Sequence, residues 1–329
     1  MSASTSFLIV GAGTMGGVNA RLLANNRVPD GTLAGIVDID IGRARELAAA
    51  TNTQAFADIA TAVAATHPTA AYVATPDALH RAPVEALAGL GVAILVEKPL
   101  ATTNEDAAAM LEAVTRAGVH AEVNYSNRWN PPFVAAMRSV TAGELGVVKS
   151  FNARLNNTIA SPRDRLTWSR GTTPAWFLMS HCLDLANWLG GQRAHSVYAT
   201  GGRGQLSGIG IDTYDWIHAL VRYDGGGDGM FESLWTLPES WPGNIEFNFR
   251  AVGTEGALDV DTTLQNIAVS STRHRFPGTI SWDAQRMTAF VRAMRGEAKS
   301  RVSFADGAEV TRILVAVHRS LHTGQVELV

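Results

Sequence analysis

The chain has 329 residues, room for two domains at about 150 residues each. Its 27 basic and 30 acidic residues leave a net charge of −3, a balance that points away from nucleic acid and anionic membrane as partners. One cysteine, Cys182, excludes an internal disulfide and a multi-cysteine metal site. The absence of a signal-peptide pattern or an apolar run of about 18 residues predicts a cytoplasmic protein that does not span a membrane, and no metal is expected.

The first predicted strand, Phe7 to Val10, runs into Gly11-Ala12-Gly13-Thr14-Met15-Gly16, and a helical pattern follows. This is G-x-G-x-x-G between strand and helix, the context in which it binds a dinucleotide. Gly11 permits the turn, Gly13 lets backbone approach a pyrophosphate, and Gly16 lets helix and strand pack closely. The helix start at Thr14 and Met15 offers N–H groups to phosphate. A second strand, Leu33 to Val37, ends at Asp38, which lies 22 residues after Gly16. An acid at that distance fits the adenosine ribose hydroxyls. The alternative for Asp38 is a cap for the next helix. A carboxylate there favours NAD over NADP, while Arg43 keeps NADP open.

Helices and strands continue to alternate to about residue 125, the pattern of a parallel sheet covered on both faces. Ala70 to Ala74 is a strand leading into Thr75-Pro76-Asp77-Ala78-Leu79-His80. Open α/β sheets bind ligands at the carboxyl ends of strands, which makes Thr75 and Pro76 candidates to line the cofactor. His80 either touches the cofactor or only starts a helix. The strand Val92 to Val96 ends in Glu97-Lys98-Pro99. A surface salt pair is one account of Glu97 and Lys98. The other is a lysine desolvated beside cofactor and substrate, its pKa lowered toward the range useful for proton transfer. Lys98–Pro99 is a candidate cis peptide.

The runs VATPDALH, EKP at 97–99 and VNYSNRWNP at 123–131 resemble the glucose–fructose oxidoreductase and inositol dehydrogenase family (Gfo/Idh/MocA). The resemblance implies a Rossmann domain over 1–124 and an α+β domain over 125–329 with a large open, mainly antiparallel sheet. It implies NAD(P)-dependent oxidation or reduction of a carbinol on a sugar, inositol or related polyol. Lys98 then contacts both cofactor and substrate, and Tyr125 and Arg128 join the substrate-binding candidates.

In the second half, Arg154, Arg163, Arg165 and Arg170 fall within 17 residues, together with Trp168. With Trp176 they predict either a solvent-facing loop or a pocket wall for a substrate that carries an acidic group. Pro174 to Leu189 is a predicted helix with Leu178, Cys182, Leu185 and Leu189 as its apolar stripe. His181 and Asp184 share a neighbouring face, close enough to interact across one turn. They are a structural pair or an acid–base pair. The resemblance selects the second account, with His181 and Asp184 at the substrate beside Lys98. The family often carries an aspartate four residues before this histidine, and this chain has Phe177. The departure suggests a Lys98–His181–Asp184 variant or altered chemistry. His318 and His322, four residues apart, lack an evident third metal ligand.

Three activities follow in order of expectation. The first is a dehydrogenase acting on a sugar-like secondary alcohol. The second is a redox-neutral glycoside-cleaving enzyme that oxidises, eliminates and re-reduces. The third is a non-catalytic dinucleotide sensor. An exposed sheet face predicts a homodimer or homotetramer.

Overall fold

The computed structural model describes residues 4–263, 266–270, 275–279 and 282–329. The chain divides into two compact units. One comprises the chain up to Ser126 together with Trp282–Thr311; the other comprises Asn127–Ser281 together with Arg312–Val329.

The first unit is built on six strands, β1 (Thr5–Val10), β2 (Gly31–Val37), β3 (Ala55–Phe56), β4 (Ala70–Val73), β5 (Ala93–Val96) and β6 (Ala121–Val123). They lie in the order β3-β2-β1-β4-β5-β6, and every pairing is parallel. Helices α1 (Thr14–Ala24), α2 (Ile41–Thr51), α3 (Ile59–Thr66), α4 (Arg81–Gly89) and α5 (Asn104–Ala117) connect them. The strand order reverses between β1 and β4, and ligands of open α/β sheets bind at such a switch point. Short, wholly apolar strands such as Ala93–Val96, all buried, are what a sheet covered on both faces requires.

The sequence divides the chain once, after residue 124, whereas the first unit takes back residues 282–311. Packing explains the return. Met287, Phe290 and Val291, on the helix Asp283–Met294, join the core cluster that holds Phe7, Ile9, Tyr72 and Leu95. Fully burying such a side chain contributes about 1.5–3 kcal/mol. Arg286 of the same helix pairs with Glu122 at 2.7 Å, both 1% exposed, and donates to the Val123 carbonyl at 3.0 Å.

The second unit contains α6 (Pro131–Thr141), β7 (Val148–Asn157), α7 (Ser180–Gly190), β8 (Ala194–Gly202), the single turn α8 (Gln205–Gly208), β9 (Trp216–Tyr223), β10 (Asp228–Leu234), β11 (Ile245–Gly253) and β12 (Ala257–Asp261). A hairpin, β13 (Asn266–Ser270) with β14 (Arg275–Thr279), is separate, and β15 (Glu327–Leu328) ends the chain. The seven-stranded sheet runs β12-β11-β7-β10-β9-β8-β15. Only β7 with β10 is parallel among its strand pairs. Alternation along β9, with Ile217, Ala219 and Val221 buried and His218, Leu220 and Arg222 exposed, gives the sheet one covered and one open face. Phe151, Phe231, Phe247 and Phe249 fill the covered side.

Candidate active site

In the first unit the nucleotide-binding turn is dictated by glycine at two positions. Gly11 has φ +101°, and a Cβ there would lie 2.5 Å from the Ala74 carbonyl oxygen. A Cβ on Gly16 would lie 1.8 Å from the Gly11 carbonyl oxygen. Gly13 is different: among the described residues a Cβ there would meet nothing within 4 Å. The first two glycines serve the fold, while the third keeps open space where a ligand can approach. Gly13 is the N-cap of α1 and no side chain caps that end. Thr14 and Met15 stand exposed in the first turn, so backbone N–H groups and the positive end of the helix dipole are available to phosphate. This cradle fits a dinucleotide.

Asp38 follows β2. Its Oδ2 accepts from the Ala12 N–H at 2.7 Å and its Oδ1 from the Asp40 N–H at 2.9 Å. The cap of α2 is Asp40, whose side chain accepts from Gly42 and Arg43 N–H. The capping alternative for Asp38 is thereby taken by its neighbour, and two backbone donors orient Asp38 beside the glycine turn.

Thr75 and Pro76, both half-buried, follow β4. The Thr75 hydroxyl donates to the Leu79 carbonyl at 3.1 Å. His80 is buried, 1% exposed, with its ring nitrogens 3.1 Å from the Leu100 and Thr75 carbonyl oxygens. Those contacts span the loop after β4 and the loop after β5, so His80 positions both.

Glu97 is not a surface partner for Lys98. Its Oε1 accepts from the Tyr72 hydroxyl and from Asn124 Nδ2, the latter at 2.9 Å, and its Oε2 faces the Lys98 backbone N–H at 3.2 Å. Burial, reinforced by Glu97, pushes the Tyr72 phenol well above its usual range, which keeps it a donor. The Lys98–Pro99 bond is cis. Lys98 is half-buried. Loss of water around its ammonium lowers its pKa from the ordinary lysine value, opposed by the charges of Asp77 and Glu97. Tyr125 is wholly buried.

In the second unit, the predicted helix from Pro174 begins as a π-helical turn, Ala175–Met179, that leads directly into α7. Such turns inside helices often mark functional sites. His181 is half-buried at the start of α7, with Nδ1 shielded from water. Asp184, 1% exposed, accepts from Arg128 through both oxygens, Nε at 3.0 Å and Nη2 at 2.6 Å. Arg128 is itself 3% exposed, and its guanidinium lies 5.5 Å from the centre of the Trp188 ring.

The predicted arginine–tryptophan wall separates into distinct places. Arg154 lies on the open face of the sheet, bonded to Asn248 at 2.8 Å and paired with Glu246 at 3.1 Å. Arg163 is tied to Asp164 at 2.7 Å and Glu239 at 2.6 Å. Trp176 is buried and stacks on His318 with centroids 4.6 Å apart. Half-buried Trp168 meets Phe177 edge-on at 6.2 Å, and Phe177 meets buried Trp235 at 5.8 Å. Arg154 thus makes cross-strand contacts, Arg163 surface ion pairs and Trp176 a stacking contact in the core.

Comparison with known proteins assigns the architecture. The model described as "Oxidoreductase family, NAD-binding Rossmann fold" matches residues 5–125, and that of the "GFO/IDH/MocA C-terminal domain" matches residues 133–259. The chain belongs to the Gfo/Idh/MocA oxidoreductases. An inositol 2-dehydrogenase of Rubrobacter xylanophilus is 27% identical over 256 residues, 77% of this chain and 70% of the relative. A myo-inositol dehydrogenase of Streptomyces leeuwenhoekii is 28% identical over 307 residues, 88% of this chain and 90% of the relative. The solved scyllo-inositol dehydrogenase from Lactobacillus casei, with bound NAD(H) and scyllo-inositol, superposes with a TM-score of 0.85 at 14% identity, covering 99% of each chain. That likeness is one of fold.

For this Gfo/Idh/MocA chain, sequence reasoning missed Tyr72 and Asn124, the donors that fix Glu97. It also missed Asp77 as a charge acting on Lys98. Asp77 was visible as an acid at a strand's carboxyl end, the same signal that singled out Lys98. Tyr72 was hidden inside an apolar strand.

Proposed function

We propose that this oxidoreductase is an NAD(P)-dependent dehydrogenase acting on a secondary alcohol, or the matching ketone, of a sugar, inositol or sugar-derived acid. The observation that carries the proposal is Lys98, a desolvated lysine at the ligand end of a dinucleotide-binding sheet. Gly11, Gly13, Thr14, Met15 and Gly16 would hold the pyrophosphate, Asp38 the adenosine ribose, and Thr75 and Pro76 the loop beside the cofactor. NAD, favoured by Asp38, or NADP supplies the hydride acceptor or donor when bound. Lys98 as a neutral amine takes the hydroxyl proton during oxidation and returns it during reduction. Desolvation favours the neutral form, while Asp77 and Glu97 favour the ammonium. His181 is the second proton-handling group. Asp184, held by Arg128, acts by fixing α7 and the histidine it carries.

A screen of inositols, sugars and sugar acids with NAD and NADP, followed by absorbance of the reduced coenzyme, tests this activity. Steady coenzyme reduction with a ring polyol is the expected result. No turnover with any of them overturns the proposal. The aromatic pair Phe177 and Trp168 favours one alternative, a glycoside-cleaving enzyme that needs room for an aglycone. It would release the aglycone with no net reduced coenzyme.

Self-association belongs to the same proposal. Tyr198, Leu220 and Met230 project from the open sheet face, 42%, 41% and 56% exposed. Light scattering should show an oligomer that Leu220→Asp converts to monomer.

A further inference from the structure

The side of α7 that carries His181 has a chemical character of its own. Phe177 lies four residues before His181 on a continuous helical stretch, so the two side chains project to the same side. Phe177 is half-buried, and the edge of half-buried Trp168 packs against it. Behind them Trp235 is fully buried, and among the described residues its Nε1 has no hydrogen-bond partner. Leaving an indole N–H unsatisfied costs free energy, a cost tolerated where packing of the ring is what matters.

Several charged side chains of this unit are already engaged. Asp184 accepts twice from Arg128. Arg163 is held by two carboxylates, and Arg154 belongs to the open sheet face. The wall beside His181 is aromatic, and Arg128, Arg154 and Arg163 are committed to protein carboxylates, while exposed Arg170, two residues after Trp168, is not among them.

We infer that Phe177 and Trp168 form an apolar specificity wall, so that the preferred substrate is a neutral ring polyol with an apolar edge: a deoxy carbon, a methyl ether or a short alkyl aglycone. Aromatic rings gain by excluding water from C–H surface, and they offer no acceptor for a hydroxyl. A hydroxyl pressed against them loses its water without a new partner, which penalises fully hydroxylated rings. The inference rests on the placement of His181 at the substrate. It selects within the sugar-like class and drops the sugar-derived acids.

The test uses the full-length enzyme with coenzyme and matched pairs: glucose against 6-deoxyglucose, glucose against methyl glucoside, inositol against its mono-O-methyl ether, and glucuronate. Both KM and calorimetric affinity are measured, so a ligand that binds without turning over still reports on the wall. The expected result is about tenfold tighter binding for at least one deoxy or methylated member over its parent, with glucuronate weakest. Phe177→Asp should reverse that preference, chiefly in KM. Trp168→Ser, at a half-exposed position, should weaken it if the first variant fails to fold. Equal affinity across every pair, tighter binding of glucuronate, or preferences unchanged in both variants would overturn the wall. Absence of turnover with normal binding preferences would instead overturn the dehydrogenase assignment and leave the wall standing.

Discussion

Arg128 grips Asp184 through both carboxylate oxygens, at 3.0 and 2.6 Å, with neither side chain more than 3% exposed. Two hydrogen bonds in a fixed fork set direction as well as distance. The pair joins the turn Ser126–Trp129 to α7, the helix that carries His181.

Breaking that pair from one side should be costly. Arg128→Met removes both hydrogen bonds of a buried ion pair and should lower unfolding free energy by about 3–5 kcal/mol. Adding Asp184→Leu removes the buried carboxylate as well and should recover at least half of the loss, because apolar replacement of both partners is often near neutral. Urea unfolding of the two variants checks this. Equal losses in single and double variants would mean that packing, not charge, holds α7.

Lys98→Met should lower turnover by about 10²–10⁴ and change coenzyme affinity little. Lys98→Arg should be nearly as inactive, since a guanidinium does not give up its proton. Lys98 has a folded pKa below 10.5, so in the window up to 10.5 the folded chain binds fewer protons than the unfolded chain. Its contribution therefore rises with pH there. Relative to Lys98→Met, the wild type should gain stability as pH climbs toward 10.5, which paired thermal melts would show.

Much of this arrangement is legible in the sequence where a residue type has no substitute. Gly11 and Gly16 are required by a positive φ and by sub-van-der-Waals spacing, and both stand in the motif. Asp38 and Lys98 are legible because the carboxyl end of a parallel strand is where ligands collect. Arg154 is near Trp168 in sequence but not on the same element. Strand alternation puts it opposite Ala153 and Leu155, which face the core. The Arg128–Asp184 pair spans 56 residues and has no local signature. The helix Asp283–Met294 shows its apolar stripe in sequence, while the cluster that receives it comes from strands in the first hundred residues.

His318 makes acid stability informative. Its ring stacks on Trp176, its Nε2 lies 2.8 Å from the Thr173 hydroxyl, and its Nδ1 lies 2.7 Å from the Leu314 carbonyl. Burial lowers its pKa from 6.5 to about 4. Between those values the unfolded chain binds the proton and the folded chain does not, so stability falls as pH drops through that window. From pH 7 to pH 5 this group should remove about 2 kcal/mol. His318→Phe keeps the stacking and should lose this part of the acid sensitivity, while costing some stability at pH 7. Chemical denaturation at the two pH values checks the difference.

The nucleotide-binding turn offers a test that separates fold from ligand. Gly13 has ordinary backbone angles, φ −75° and ψ −166°, and a methyl group there meets no atom of the described residues within 4 Å. Gly13→Ala should therefore leave the thermal midpoint within a degree or two, because only exposed space is filled. The same methyl occupies the approach of a pyrophosphate to the α1 N-terminus, so NAD affinity should fall at least about tenfold. Gly16→Ala drives its methyl to 1.8 Å from the Gly11 carbonyl oxygen and should destabilise the first unit by more than about 3 kcal/mol. Coenzyme titration alongside melting reads both effects. If Gly13→Ala binds NAD as tightly as the wild type, the open space beside Gly13 is not where the coenzyme's phosphates lie.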